Sequence, residues 1–161
     1  MSVLLEVNHL QKYFHTKSGT LHAVENVSFQ LEEGKTLGVV GESGCGKSTL
    51  GRVILHLLPA TGGKILFQGE DISKPSKAKL HELRRDMQMV FQDPYSSLNP
   101  RKHIYEILSQ PMLYHGISNK ETVHRDVDRL LDMVGLPKHV LGRYPHEFSG
   151  GQRQRIGIAR A

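Results

Sequence analysis

Cysteine is nearly absent: Cys45 stands alone, which excludes an internal disulfide and suits a reducing compartment. Long apolar runs are missing as well. Leu37–Val40 and Val53–Leu58, the latter broken by His56, fall far short of the roughly 20 residues a membrane-spanning helix needs. Met1–Glu6 lacks the basic stretch and apolar core of a secretion signal. Aromatic residues make up only 6% of the chain, and no basic stripe interleaves with them. Lys and Arg are scattered among Asp and Glu, so a net charge of +5 does not call for nucleic acid as a partner. None of the ten histidines pairs with another His or with Cys at metal-ligand spacing, so they read as surface or satisfied polar residues.

What remains is an ordinary globular balance, 38% hydrophobic and 23% charged, in 161 residues, enough for one compact α/β core. Leu4–Leu10 and His22–Leu31 alternate apolar with polar residues and predict antiparallel strands joined around Lys17-Ser18-Gly19-Thr20. After the turn at Glu32-Glu33-Gly34, Thr36–Val40 is an unalternating apolar run, the pattern of a strand buried on both faces of a mainly parallel sheet. Leu50, Val53, Ile54, Leu57 and Leu58 then share one helical face, until Pro59 and Gly62-Gly63 stop it. Ile65–Phe67 and Met87–Val90 are short strand candidates. Ser118 and Glu121 form a capping box ahead of a helix whose face carries Val123, Val127, Leu130, Leu131 and Val134, and Gly135 and Pro137 end it. Residues from Pro94 to about Arg143 therefore read as a helical insertion between sheet-building segments.

Gly41-Glu42-Ser43-Gly44-Cys45-Gly46-Lys47-Ser48 fits the spacing Gly, four residues, Gly-Lys-Ser/Thr, and lies between the apolar run and the helix, where a phosphate loop belongs. Glycines let backbone N–H groups curl inward around phosphate oxygens, an approach that side chains would obstruct. Lys47 supplies a compact positive charge to the β- and γ-phosphates, and Ser48 a hydroxyl to Mg²⁺. The helix that follows, through Thr49, points its N-terminus at the same anion. A glycine-rich turn that merely linked strand to helix would leave Lys47 unexplained. Because Cys45 sits inside the loop, its alkylation should block nucleotide binding and MgATP should protect it.

The run Phe148-Ser149-Gly150-Gly151-Gln152-Arg153-Gln154-Arg155 resembles the signature of the ATP-binding-cassette (ABC) ATPases, commonly Leu-Ser-Gly-Gly-Gln. Gln92, within Val90-Phe91-Gln92-Asp93-Pro94, is similar to that family's Q-loop glutamine. By itself, Ser149 with Gln152 is a capping box for a helix running through Ile156 and Ile158. A plain cap would not choose Gly150 and Gly151, because each glycine in a first turn weakens a helix by up to about 1 kcal/mol relative to alanine. Bare backbone is useful there if a phosphate must come close to the N–H groups.

The resemblance implies that Ser149, Gly150, Gly151 and Gln152 meet the γ-phosphate held by the phosphate loop of an opposing subunit, so that two cassettes sandwich two ATP molecules. It implies that Gln92 touches Mg²⁺ or the attacking water and acts with Lys47 in catalysis, and that Phe14, with Tyr13 as its rival, stacks on adenine. The implied fold is α/β: a phosphate-loop NTPase core with an antiparallel β subdomain and a helical subdomain, the C-terminal part of the sheet missing. Residues 1–161 then make one incomplete ATP-binding domain, in which residues 94–143 are the helical subdomain that docks on membrane partners.

Phe91–Arg101 and Arg143–Gly151 resemble more closely the F-type ATP-binding subunit of bacterial dipeptide, oligopeptide and nickel importers. That resemblance implies as partners a second ABC ATPase subunit of D type, two membrane permease subunits and an extracytoplasmic substrate-binding protein. It also implies a cytoplasmic position on the inner face of the bacterial inner membrane. In the family, the signature helix leads into an aliphatic strand ending in Asp-Glu, a D-loop and a switch histidine, none of which falls within residues 1–161. The expectation is a chain that binds ATP without hydrolysing it. A small phosphate-loop kinase, using Met87–Asp93 as strand and Mg²⁺-binding Asp, is the alternative from another class. A non-transport ABC protein is the third.

Overall fold

The computed structural model describes residues 2–93 and 97–161. Pro94, Tyr95 and Ser96, which belong to the Gln92 motif and open the expected helical insertion, lie outside the described residues. The chain divides into two compact units, Met1–Met87 and Gln88–Ala161.

In the first unit, the alternating N-terminal sequence becomes a long antiparallel hairpin of β1 (Val3–Thr16) and β2 (Gly19–Glu32). Its turn is the dipeptide Lys17-Ser18, and near the tip the pairing runs without a break from Thr16–Gly19 to Tyr13–His22. β3 (Gly62–Phe67) joins the other edge of β1, and the short β4 (Glu70–Asp71) follows, giving the order β2-β1-β3-β4. Val7 and Leu10 are both fully buried although three residues apart. A register shift between them, with His9 at φ 50, adds the extra residue of a bulge and turns Leu10 back to the core. Helix α1 (Lys47–Ile54) buries Leu50 and Val53 in this core, and α2 (Lys77–Asp86) adds Leu83. Ile65 and Ile72 complete it, each such side chain contributing about 1.5–3 kcal/mol through removal from water.

Four expectations are corrected in this unit or at its border. Thr36–Val40 forms no strand: Leu37, Val39 and Val40 are 43%, 50% and 92% exposed. An apolar run becomes a buried strand only if strands flank it, and no described residues pair with this one. The ladders that do form are all antiparallel, not mainly parallel. Met87–Val90 is likewise not a strand, and Val90 is exposed. Leu57 leaves the α1 face, because the helix ends at Ile54 and His56 takes a left-handed conformation at φ 54. Helix α2 was not foreseen. Of its ten residues only Leu80 and Leu83 are large and apolar, too few to mark a helical period, while Ser76 caps it by accepting from the Lys79 N–H.

The second unit is helical. α3 (Ile104–Tyr114), α4 (Val123–Met133) and α5 (Gly150–Arg160) enclose a core of Ile104, Leu108, Val127, Leu131, Phe148 and Ile156. Short 3₁₀ turns at Lys138–Gly142 and Pro145–Glu147 bridge α4 to α5. The predicted face of α4 buries Val123, Val127 and Leu131, and Gly135 follows its end at φ 65. The capping box at Ser118 and Glu121 does not form. Asn119 takes its place, its side-chain oxygen accepting from the N–H groups of Glu121 and Thr122 at 3.0 and 2.9 Å. Ser118 instead donates to Asp126 Oδ2 at 2.8 Å, which holds the Asp126 carboxyl below its usual range.

Candidate functional site

The phosphate loop lies in the first unit and runs into α1. Its first helical bond is Leu50 N–H to Gly46 O at 2.8 Å, so the N–H groups of Lys47, Ser48 and Thr49 have no intrahelical acceptor. No side chain caps them, because the N-cap position is Gly46. These donors are therefore available to an anion. Gly46 is confined to glycine on two counts: it sits at φ 96, and a Cβ there would meet Ala23 O of β2 at 2.0 Å. Close approach of the loop to the hairpin is thus what fixes the start of the helix.

The Lys47 ammonium is held against the loop, donating to Gly41 O at 2.8 Å and Glu42 O at 2.6 Å, with Cys45 Sγ 3.6 Å away. Cys45 N–H closes the turn onto Glu42 O at 3.3 Å, and Gly44 takes φ 83. Gly41, Glu42, Ser43, Gly44, Cys45 and Ser48 are exposed, whereas Thr49 is half-buried. The arrangement is an open anion cradle with a cation beside it.

Beside the loop, a cavity of about 380 Å³ is lined by His22, Val24, Glu25, Cys45, Gly46 and Lys47 among others. Tyr13 does not line the cavity but contacts two residues that do. Its ring lies 4.2 Å from that of His22, its cross-strand partner, and its hydroxyl donates to Glu25 Oε1 at 2.8 Å. His22 Nδ1 is 2.5 Å from Glu25 Oε2; since a carboxylate only accepts, the proton resides on Nδ1. The hydrogen bonds from His22 and then Tyr13 hold the Glu25 carboxyl below its ordinary range, and the bond to Glu25 raises the Tyr13 phenol. Phe14 is placed otherwise. It opposes Leu21, and Lys12 Nζ stands 4.9 Å over its ring. Sequence reading did not single out His22 and Glu25, although counting back along the hairpin from Thr16–Gly19 sets His22 opposite Tyr13.

The remaining predicted residues lie in the second unit. Gln92 is exposed. Ser149 and Gln152 form the expected capping box: Ser149 N–H donates to Gln152 Oε1 at 3.0 Å, and Gln152 N–H to Ser149 Oγ at 3.3 Å. Phe148, buried in the helical core, anchors the residue before the cap, with the Arg143 guanidinium 5.0 Å from its ring centre. Glu147 fixes the same stretch by accepting from Tyr144 N–H at 2.6 Å and pairing with Arg143. A Cβ on Gly150 or Gly151 would meet no atom within 4 Å. Among the described residues, no contact requires glycine at either position.

Comparison with known proteins adds a third line. Residues 24–161 match the family described as ABC transporter. The oligopeptide transport ATP-binding protein OppF of Bacillus subtilis (strain 168) is 54% identical over 98% of this chain and 52% of its own length. AppF of the same organism is 51% identical over 98% and 50%, and OppF of Haemophilus influenzae 50% identical over 99% and 51%. The chain thus spans about half the length of the curated relatives it matches. Among solved structures, the dimeric bacterial ABC transporter cassette MJ0796 superposes with a TM-score of 0.87 at 27% identity, over 98% of this chain and 68% of that one. A dimeric post-hydrolysis state of that cassette, bound to ADP and Pi, gives 0.86 at 27% identity and the same coverage.

Proposed function

Because this chain belongs to the ABC transporter family, we propose that it is the nucleotide-binding part of an ATP-binding subunit that drives oligopeptide import across a bacterial inner membrane. The fold is that of the family's cassettes, and the match leaves no ground for the small-kinase alternative. Transport, rather than another use of the cassette, is favoured by the relatives, which are oligopeptide transport ATP-binding proteins.

In this reading the loop Gly41–Ser48 cradles the β- and γ-phosphates of ATP with its backbone N–H groups, and Lys47 swings its ammonium from the loop carbonyls onto them. Mg²⁺ comes with the nucleotide, since phosphate oxygens and waters satisfy most of its coordination and Ser48 Oγ supplies a protein ligand. Support for Tyr13 rather than Phe14 as the adenine platform comes from its contact with His22, which lines the cavity shared with Gly46 and Lys47. Ser149, Gly150, Gly151 and Gln152 serve the γ-phosphate of a neighbouring ATPase subunit. The observation that supports this assignment is the open space at both glycines among the described residues, at the start of a helix whose cap is already formed. Gln92 acts on Mg²⁺ or the attacking water, and residues 94–143 form the helical subdomain that meets two permeases, supplied in turn by an extracytoplasmic binding protein. The subunit sits at the cytoplasmic face of the membrane; among the described residues no helix is long and apolar enough to cross one.

Uptake of a labelled oligopeptide by cells tests the proposal. Lys47→Ala in the full-length subunit is expected to abolish it, and undiminished uptake with the variant protein present would contradict it.

A further inference from the structure

We propose that Glu25 is a positioning residue for the nucleotide base: its carboxylate locks the Tyr13 and His22 rings into one platform beside the phosphate loop. The inference rests on the nucleotide-binding reading above and extends it to two side chains that the phosphate-loop, Q-loop and signature motifs do not contain.

The geometry is economical. One carboxylate uses both oxygens, Oε1 for the Tyr13 hydroxyl at 2.8 Å and Oε2 for His22 Nδ1 at 2.5 Å. The two bonds fix the two rings against each other at a centroid separation of 4.2 Å and an interplanar angle of 30°. A tyrosine on a strand otherwise keeps freedom about both side-chain torsions, and a stacked base would have to still it on arrival. Prior fixation removes that cost from binding. At that separation and tilt the rings lie one over the other, so a purine meets one outer face of the pair, and the proton on Nδ1 leaves the other His22 ring nitrogen for solvent or ligand.

The plain alternative is a cross-strand surface pair that contributes to hairpin stability and nothing else. Two observations weigh against it. His22 and Glu25 remain about half exposed, where such contacts stabilise little. They also line one cavity with Gly46 and Lys47, so the platform opens onto the cradle and not onto a bare face of the sheet. A carboxylate this near an anion site works against phosphate binding unless it serves another purpose. Its pairing with His22 and Tyr13 supplies one.

Calorimetric titration of MgATP and of magnesium tripolyphosphate into the 161-residue chain separates base from phosphate recognition. Glu25→Ala is expected to raise the Kd for MgATP about tenfold, the scale of one base–aromatic stack, and to leave that for tripolyphosphate unchanged. Glu25→Gln should recover most of the loss, because its amide still accepts from Tyr13 and offers a donor to the other His22 tautomer. An equal loss for both ligands in Glu25→Ala, or an MgATP Kd within twofold of wild type, would overturn the proposal while leaving the nucleotide-binding reading intact. Failure of the wild-type chain to bind either ligand would overturn both.

Discussion

Gly46 has the backbone of β2 against it, whereas Gly150 and Gly151 have nothing within 4 Å. Both segments begin a helix, and both expose N–H groups at its start. In the phosphate loop, glycine is required by the chain itself, through a positive φ and a clash with Ala23 O. In the signature, the chain would tolerate alanine, and a serine–glutamine capping box already secures the helix. In the proposed function, the first segment serves the chain's own nucleotide and the second a neighbour's.

Substitutions should respect that division. Gly46→Ala forces a methyl group into Ala23 O at an unfavourable φ, and should cost about 3 kcal/mol in chemical denaturation and abolish MgATP binding. A near-neutral result would mean that the loop does not press on the hairpin. Lys47→Ala removes an exposed ammonium whose bonds are to loop carbonyls, so stability should change little. Its MgATP affinity should fall by roughly 30-fold, the scale of a charge-assisted contact to phosphate. Gly151→Ala should raise stability by up to about 1 kcal/mol and leave the chain's own MgATP affinity unchanged, while impairing ATP hydrolysis by the assembled transporter. Destabilisation by that change would show a constraint inside the chain.

The smallest effect is acid sensitivity. Hydrogen bonds from His22 to Glu25, Ser73 to Asp71, Ser118 to Asp126 and Tyr144 N–H to Glu147 hold these carboxyls below their ordinary values. Their contribution is complete above the unfolded values, near pH 4, and is lost as pH falls through the lowered native ones. Burial also holds the His56 imidazole below its ordinary value, so stability should slip modestly as pH falls through about 6.5 and decline further below about 4. Because Glu25, Asp71 and Glu147 are exposed and Asp126 is only half-buried, the decline should be shallow, and Asp126→Asn should reduce it further.

The phosphate loop was legible because its residues are contiguous and its chemistry is local. The hairpin was legible for a similar reason, since alternation and a short turn set both strands. The exposure of Thr36–Val40 was not, because hydrophobicity marks a segment that can be buried, while burial itself depends on strands elsewhere. The cap of α4 went to Asn119 instead of Ser118 because both residues can cap, and the path of the chain into the helix decides between them. Sequence alone leaves Tyr13 and Phe14 as rivals, because adjacent residues of one strand point to opposite faces and only the register shows that Tyr13 opposes His22 while Phe14 opposes Leu21.

Calorimetric titration of MgATP into the wild-type chain and its Gly151→Ala variant tests the division of labour most directly. Equal dissociation constants are predicted, because the proposal assigns the signature glycines to a neighbour's nucleotide. A tenfold weaker value for Gly151→Ala would contradict the account, since the signature would then hold the chain's own ATP.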